Sequence, residues 1–396
     1  MHASMRVYSP VSRLRARWPR GTRSRMPPRP APALIACLLG STLAAQAALF
    51  SASATIEEGD TTYDGQDIIV SNCTLTVNGP HAFASLSLIH NATLAHTACT
   101  AEQVYAVDLT ISGALTLDAS SKIDVSGRGF RAGRTTGNST VGGATWPSGG
   151  SYGGLGAGSP ANKTYGDFRE PVEPGSGSSN VAGGGLLRIT AGSAVVDGVI
   201  RANGANGSYY SPCGGSGGGI RLDVVALSGS GRVEADGGRM SGASNSGHAI
   251  GGGGGRVALY YGESTFDLTN GVRALAGEGI PQAGYGAPSH GSCGTVYLRK
   301  TDSAEGVLRI DNHNANVGLW TPLGQPGDGA VDLAGDHLVI SGTNVVVAPD
   351  HKMPIFADRV SLLNGAVLTH QACTADRGYS LDLTVAGTLT VDASAK

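Results

Sequence analysis

Four times between residues 185 and 298 a glycine is followed at once by a short alternating stretch: Gly185-LLRIT, Gly219-IRLDV, Gly255-RVALY and Gly294-TVYLR. These starts lie 34, 36 and 39 residues apart. After each of the first three comes a second short strand: VIRANG from Val199, RVEADGG from Arg232 and GVRALAG from Gly271. KIDVSGRG, from Lys122, reads as an earlier copy. Each second strand runs into a loop of glycine, serine, asparagine and tyrosine, and then into the next glycine corner. Two strands and one long loop cannot bury an apolar face alone, whereas stacked units share one continuous narrow core. Alternation in IRLDV and RVALY sets apolar side chains on one face and polar ones on the other. Of the 62 glycines, 46 lie between Gly127 and Gly294. Glycine at a corner permits positive φ and a close approach of neighbouring backbones. The expected fold is all-β, a right-handed parallel β-solenoid (β-helix) with long Gly-rich loops. An antiparallel β-sandwich array is the alternative, but it gives no cause for glycine-rich excursions at regular spacing.

A longer repeat encloses the shorter one. SLSLIHNATLAHTACTAEQVYAVDLTISGALTLDASSK, from Ser85, aligns without a gap with RVSLLNGAVLTHQACTADRGYSLDLTVAGTLTVDASAK, from Arg359. Over Leu86 to Lys122, 20 of 37 positions are identical at an offset of 274, His96/His370, Cys99/Cys373, Asp108/Asp382 and Lys122/Lys396 among them. A looser match lies upstream, IIVSNCTLTV against LVISGTNVVV. The expected organisation is a signal peptide over 1–47, a glycine-rich solenoid module over 48–310, a linker over 311–334, and the start of a second copy over 335–396. The second copy stops midway through the pattern of the first, so a longer protein is expected.

The N-terminus reads as an address. Residues 1–29 hold eight arginines and no acid, and ALIACLLGSTLAAQA follows. An apolar run ending in small residues is a secretory signal, with Ala45-Gln46-Ala47 as the cleavage motif. The basic region is long, so both Met1 and Met26 stand as possible starts. Leu34-Ile35-Ala36-Cys37 also resembles a lipoprotein box, but little apolar sequence precedes Cys37. No later stretch is long and apolar enough to be a membrane helix. With Lys+Arg 28 and Asp+Glu 30 in the whole chain, removal of eight arginines leaves 20 − 30 = −10, which argues against nucleic acid as a partner. Cys73, Cys99, Cys213, Cys293 and Cys373 remain after the leader. Five is odd for a disulfide framework. Cys213 and Cys293 both precede Gly-rich strand starts and are a candidate pair on one face of a stacked structure; the alternative is that they are buried small apolar residues, and the sequence leaves the pairing of all five open.

The chemical motifs are weak. A phosphate loop is single and opens a helix, whereas the run Gly251–Gly255 has parallel copies and opens a strand. Gly127-Arg128-Gly129-Phe130-Arg131-Ala132 matches a dinucleotide pattern, but no helix follows. Gly214-Gly215-Ser216-Gly217-Gly218 matches a nucleophile elbow and likewise runs into a strand. His96-x-x-Cys99, His290-x-x-Cys293 and His370-x-x-Cys373 have ligand spacing, but zinc needs three or four ligands and no completing pair is near. Asp118, Asp124, Asp197 and Asp236 lie near coil turns, where acids ordinarily cap the backbone. Calcium is the one cofactor this leaves open, although the dense glycine-aspartate array of calcium-binding β-helices is absent. Tyr209, Tyr210, Tyr260, Tyr261 and Tyr285 are candidates for stacking on sugars or for covering the sheet. Asn72, Asn91, Asn138, Asn162 and Asn206 stand in N-x-S/T patterns. No catalytic, cofactor-binding or metal-binding residue is assigned. Should the chain act on polysaccharide, the acids Asp223, Glu234 and Asp236 with Arg221 or Arg232 are the group to examine, because such enzymes align acids and bases along one solenoid face.

GGSYGGLGAG, TYGDFREPVEPGSGS, AGGGLLRI, GGSGGGIRLDV, GGGGGRVALYY and CGTVYLRK together resemble the glycine-rich modules of large secreted bacterial surface proteins. The resemblance covers most of 65–310 and restarts near 335. It implies adhesin-like tandem modules of β-helix character and brings no catalytic residues. The expected function is that of a non-enzymatic, secreted or cell-surface structural or adhesive repeat protein, an extended stalk presenting loops to an extracellular surface or polysaccharide. A polysaccharide lyase or hydrolase, or a glycan-binding module without chemistry, is the alternative.

Overall fold

The computed structural model describes residues 47–159, 161–240, 244, 246–280 and 289–396. The leader, apart from Ala47, and Tyr285 lie outside them. The chain runs through β1 (Ala48–Phe50), β2 (Ala54–Ile56), β3 (Asp67–Ser71), β4 (Thr74–Val77), β5 (Gly79–Phe83), β6 (Ser85–Ile89), β7 (Thr93–Ala95) and β8 (Val107–Leu117). It continues with β9 (Lys122–Asp124), β10 (Leu186–Val196), β11 (Val199–Arg201), β12 (Gly219–Ser228), β13 (Arg232–Glu234), β14 (Arg256–Ser264), β15 (Val272–Arg273) and β16 (Thr295–Lys300). It closes with β17 (Gly306–Asp311), β18 (Thr321–Leu323), β19 (Val331–Ser341), β20 (Val346–Pro349), β21 (Ile355–Leu363), β22 (Val367–Leu368), β23 (Leu383–Val385) and β24 (Leu389–Val391).

From β8 to β16 the strands alternate between two sheets. β8, β10, β12, β14 and β16 are successive neighbours in a 14-stranded sheet, while β9, β11, β13 and β15 are successive neighbours in a 7-stranded one. Each passage adds one strand to each sheet, in parallel. The expected second strands from Lys122, Val199, Arg232 and Gly271 are therefore one sheet. Among the pairings of the described strands only β16 with β17 is antiparallel, so the antiparallel sandwich alternative is not what forms. Register stacks like on like. Leu109, Ile189, Leu222, Leu259 and Leu298 occupy one cross-strand line, and all lie in the first apolar core. Each such side chain contributes roughly 1.5–3 kcal/mol on burial.

The antiparallel step at β16–β17 changes which face is the inside. Val296 and Leu298 of β16 belong to the first core, but Tyr297 between them belongs to a second, with Leu308 and Ile310 of β17. From β17 onward the chain alternates between the long sheet and a 3-stranded sheet of β18, β20 and β22. Residues 311–334, read as a linker, supply β18, which pairs in parallel with β20.

The second sequence copy repeats the first contact by contact. His81, Ala82 and Phe83 of β5 pair with Leu109, Thr110 and Ile111; at the offset of 274, Ile355, Phe356 and Ala357 pair with Leu383, Thr384 and Val385. Gly113 N–H donates to Ala84 O and Gly387 N–H to Asp358 O, both at 2.8 Å. Cys99 Sγ and Cys373 Sγ accept from the N–H of Tyr105 and Tyr379, at 3.4 and 3.2 Å.

The glycine-rich segments between strands pack as bare backbone. Along Gly251–Gly255 the N–H groups donate in turn to Ser289, Gly238, Gly150, Ser292 and Ala235, at 2.7–2.9 Å. Acceptors recur every third residue: 251 and 254 face the 289–292 segment, 252 and 255 face 235–238, and 253 faces 150. Three residues per turn is the period of a polyproline II helix, which makes no hydrogen bonds within itself and offers every group to neighbours. A Cβ on any of the five would stand under 2.5 Å from a backbone atom of another segment. None of the five has a positive φ, so the expectation that the corners need glycine for positive φ is corrected: they need it for close approach. The register also shifts the repeat by one residue. Leu186 pairs with Gly219, so the structural counterpart of Gly185 is Gly218, followed by Gly255 and Gly294. Gly255→Ala is expected to cost about 3 kcal/mol by overpacking, read as a lower urea midpoint. Gly329→Ala, with open space around its Cβ and no positive φ, should stay within about 0.5 kcal/mol.

Candidate functional site

The polar face of the long sheet carries the densest charge. Asp108, Arg188 and Arg221 are cross-strand neighbours on β8, β10 and β12, and Thr190, Asp223, Tyr260 and Arg299 form the next line. Period-2 alternation puts both lines on one face. Residues 166–173 lie across it as a strap: Tyr260 donates to Arg169 O at 2.9 Å, and Glu170 pairs with Arg221 and, at 3.9 Å, with Arg188. Arg188 reaches Asp108 at 3.5 Å and Arg221 reaches Asp223 at 3.3 Å. The Arg221 guanidinium also stands 4.8 Å over the Tyr260 ring, a favourable cation–π geometry. Burial works against the Arg221 charge, but Asp223 and Glu170 outweigh it and hold the pKa above its ordinary value. The space left between these groups is about 210 Å³.

Glu234, Asp236 and Arg232 are elsewhere. They lie on or just after β13 in the 7-stranded sheet, whereas Arg221 and Asp223 are on β12 in the long one. The five residues grouped from sequence therefore do not form one row. Arg273 holds Glu234 at 2.8 Å and Asp236 at 2.9 Å, and Asn203 donates to Glu234 at 3.2 Å. Burial pushes the Asp236 pKa up against the opposing pull of Arg273. Asp236 also accepts the N–H of Leu275 at 2.9 Å, so it ties two coils together. Losing one partner of a buried ion pair costs about 3–5 kcal/mol, so Arg273→Met is expected to lower stability by that order in urea unfolding. Asp223→Asn, on a half-exposed pair whose Arg221 keeps Glu170 as a second partner, should cost under about 1 kcal/mol.

The other aspartates hold turns. Asp118 accepts the N–H of His90 at 2.6 Å and of Ser120 at 2.9 Å. Burial opposes them, but these bonds bring its pKa down to about 2. Asp124 accepts from Arg201 at 2.7 Å and from Ser126 N–H at 3.1 Å, and Asp197 from Ser230 N–H at 3.0 Å. Among the described residues no group of three or more His, Cys, Asp or Glu is placed to hold a metal. Asn72, Asn91 and Asn138 have positive φ; asparagine tolerates that left-handed conformation at a corner. Asn162 is buried and bonds Thr135, Ser151 and Ser176, while Asn206 accepts the N–H of Arg239 at 3.0 Å. Ser216 is buried in the glycine layer and donates to Ser176 O.

All five cysteines are free. Cys213 packs with Ala157 and Ile250, and Cys293 with the second core; the candidate pair is not bridged, and both serve as buried small apolar residues. His96 is fully buried. Its Nδ1 bonds Thr97 O at 2.7 Å, and Nε2 accepts the N–H of Leu186 at 3.3 Å. This arrangement uses the neutral ring. Burial lowers its pKa from 6.5 to about 4. The unfolded chain therefore binds the proton first. Stability from this site is complete above about pH 6.5 and is lost as pH falls towards 4, by about 3 kcal/mol in total. Urea midpoints between pH 7 and 4.5 should fall less steeply for His96→Gln than for the unaltered chain.

A cavity of about 560 Å³ is lined by polar groups that include Asn270, Arg309, Asp311, Asn312, His313 and Asn364. Asp311 stands 2.5 Å from Arg309 Nε and 2.7 Å from His313 Nε2 as ion-pair contacts. Neither Arg188 nor Glu170 was singled out from sequence. The shared Arg-x-Thr/Asp spacing of β10 and β12 marks the first; nothing local marks the strap. Comparison with known families, curated proteins and solved structures gives no match. Among the described residues no helix is long and apolar enough to cross a membrane.

Proposed function

We propose that the chain is an exported structural or adhesive repeat protein, built as a right-handed parallel β-solenoid with glycine-rich loops that meet an extracellular partner. The observation that carries this reading is the contact-for-contact repetition of strand register between the two sequence copies. A coil that can be repeated in register can be lengthened without new design. The exchange of faces at β16–β17 supports one constant coil hand. When strand direction reverses while the stack grows onward, an unchanged hand requires the second sheet to lie on the other face of the first. Parallel crossovers are right-handed in about 98% of cases.

The charged groups singled out from sequence are engaged in ion pairs and turn caps between coils, which supports a structural rather than a catalytic use. Outward groups remain on the loops. Tyr210 is 77% and Trp146 47% exposed, and Tyr209 and Tyr210 stand edge to face at 4.9 Å. Two measurements test the reading. Expressed in an exporting cell, the chain should appear outside the cytoplasm with Ala48 as its first residue on N-terminal sequencing. Incubated with neutral and acidic polysaccharides, with and without calcium, it should release no new reducing ends and no unsaturated sugar. Release of either would replace this reading with that of a polysaccharide-active enzyme.

A further inference from the structure

The two sequence copies meet along a groove of about 410 Å³ lined by three cations, Lys163, Lys352 and Arg377, with His351, Pro326, Gly327 and Asp350. Lys163 comes from the glycine-rich part of the first copy, 326–327 from the segment between the copies, and the others from the second. Lys163, Lys352 and Arg377 are exposed, and among the described residues none has a side-chain ion-pair partner. The one carboxylate in the lining, Asp350, lies 3.2 Å from His351 Nδ1. His351 in turn is fixed by Asp328 O at 2.8 Å. Three unpaired cations thus converge in a chain whose formal charge is −2 overall.

We propose that this groove binds an anionic sugar, with Lys163, Lys352 and Arg377 holding its acid group. The volume lies in the range of small-molecule sites and exceeds what a single small anion fills. No Phe, Tyr or Trp ring lines it, so charge rather than stacking on a large ring does the recognising. Arg377 supplies planar, bidentate recognition of a carboxylate, sulfate or phosphate. Its counterpart in the first copy, at the offset of 274, is Gln103. The site therefore belongs to the junction and not to each module, and a single module would lack it. The anion chemistry stands on the lining alone; the choice of a sugar rests on the extracellular reading above.

The test is calorimetric titration of the full chain with trigalacturonate, maltotriose and inorganic phosphate. The expected result is binding of trigalacturonate that weakens with salt and no binding of maltotriose. K352A and R377A are each expected to weaken trigalacturonate binding about tenfold. Both positions are exposed, so thermal midpoints should not move. Retention of affinity in both variants, or equal binding of maltotriose, overturns the site. Variant-sensitive binding of phosphate without trigalacturonate overturns the sugar while leaving export and the structural reading untouched.

Discussion

Backbone meeting backbone is the constraint on which the rest depends. In the layer around Gly251–Gly255 each N–H finds a carbonyl on one of three neighbouring segments, and a side chain at any of those positions would collide with another segment's backbone. The layer replaces an apolar core with a lattice of amide hydrogen bonds. Each bond contributes modestly, about 1 kcal/mol net, yet leaving one buried and unmade costs more. The lattice is therefore sensitive to single added methyl groups, and this accounts for a chain with few aromatic residues and 62 glycines.

That layer also fixes the spacing of the sheets. Gly218, Gly255 and Gly294 each donate to the carbonyl that ends a strand of the 7-stranded sheet or follows it, at Ala202, Ala235 and Ala274. The residue after each of them begins or enters a strand of the long sheet. The apolar lines such as Leu109–Ile189–Leu222–Leu259–Leu298 are aligned because their starting points are. Where the glycine ladder ends, at Gly294, the antiparallel step follows and the core changes face. Tyr297 marks the place: it stands on the outward face of its own coil and inside the second core, donating to buried Asp336 at 2.9 Å. Arg169 of the strap reaches the same carboxylate at 3.1 Å. The first copy thus contributes both a strand and a strap to the core of the second.

The charges follow this architecture. Acids near turns accept backbone N–H groups of a neighbouring coil, as Asp118 does with His90 of the preceding one. Acids near strand ends share an arginine of the next coil, as Glu234 and Asp236 share Arg273. Such groups resemble an aligned catalytic row in sequence, because a repeat places like residues at like positions whatever their use. Only placement separates Asp223 from Glu234: they lie eleven residues apart in the chain and on different sheets.

Period and alternation alone determined that the chain is β, that its strands come in pairs joined by glycine-rich loops, and that part of it occurs twice. These are local properties: an apolar face every second residue, and glycine wherever two backbones touch. The sequence also placed the two-strand units to within a residue, missing only that Gly218 and not Gly219 continues the ladder. That choice rests on cross-strand register, which neither flanking residue reveals. The strap over Arg188 and Arg221, the exchange of faces at Tyr297, and the cationic groove between Lys163 and Arg377 were decided by tertiary structure. They join Glu170 to Arg221, 51 positions apart, Tyr297 to Asp336, 39 apart, and Lys163 to Arg377, 214 apart, and their meeting depends on how many coils lie between them and on which side of the sheet the next coil is laid.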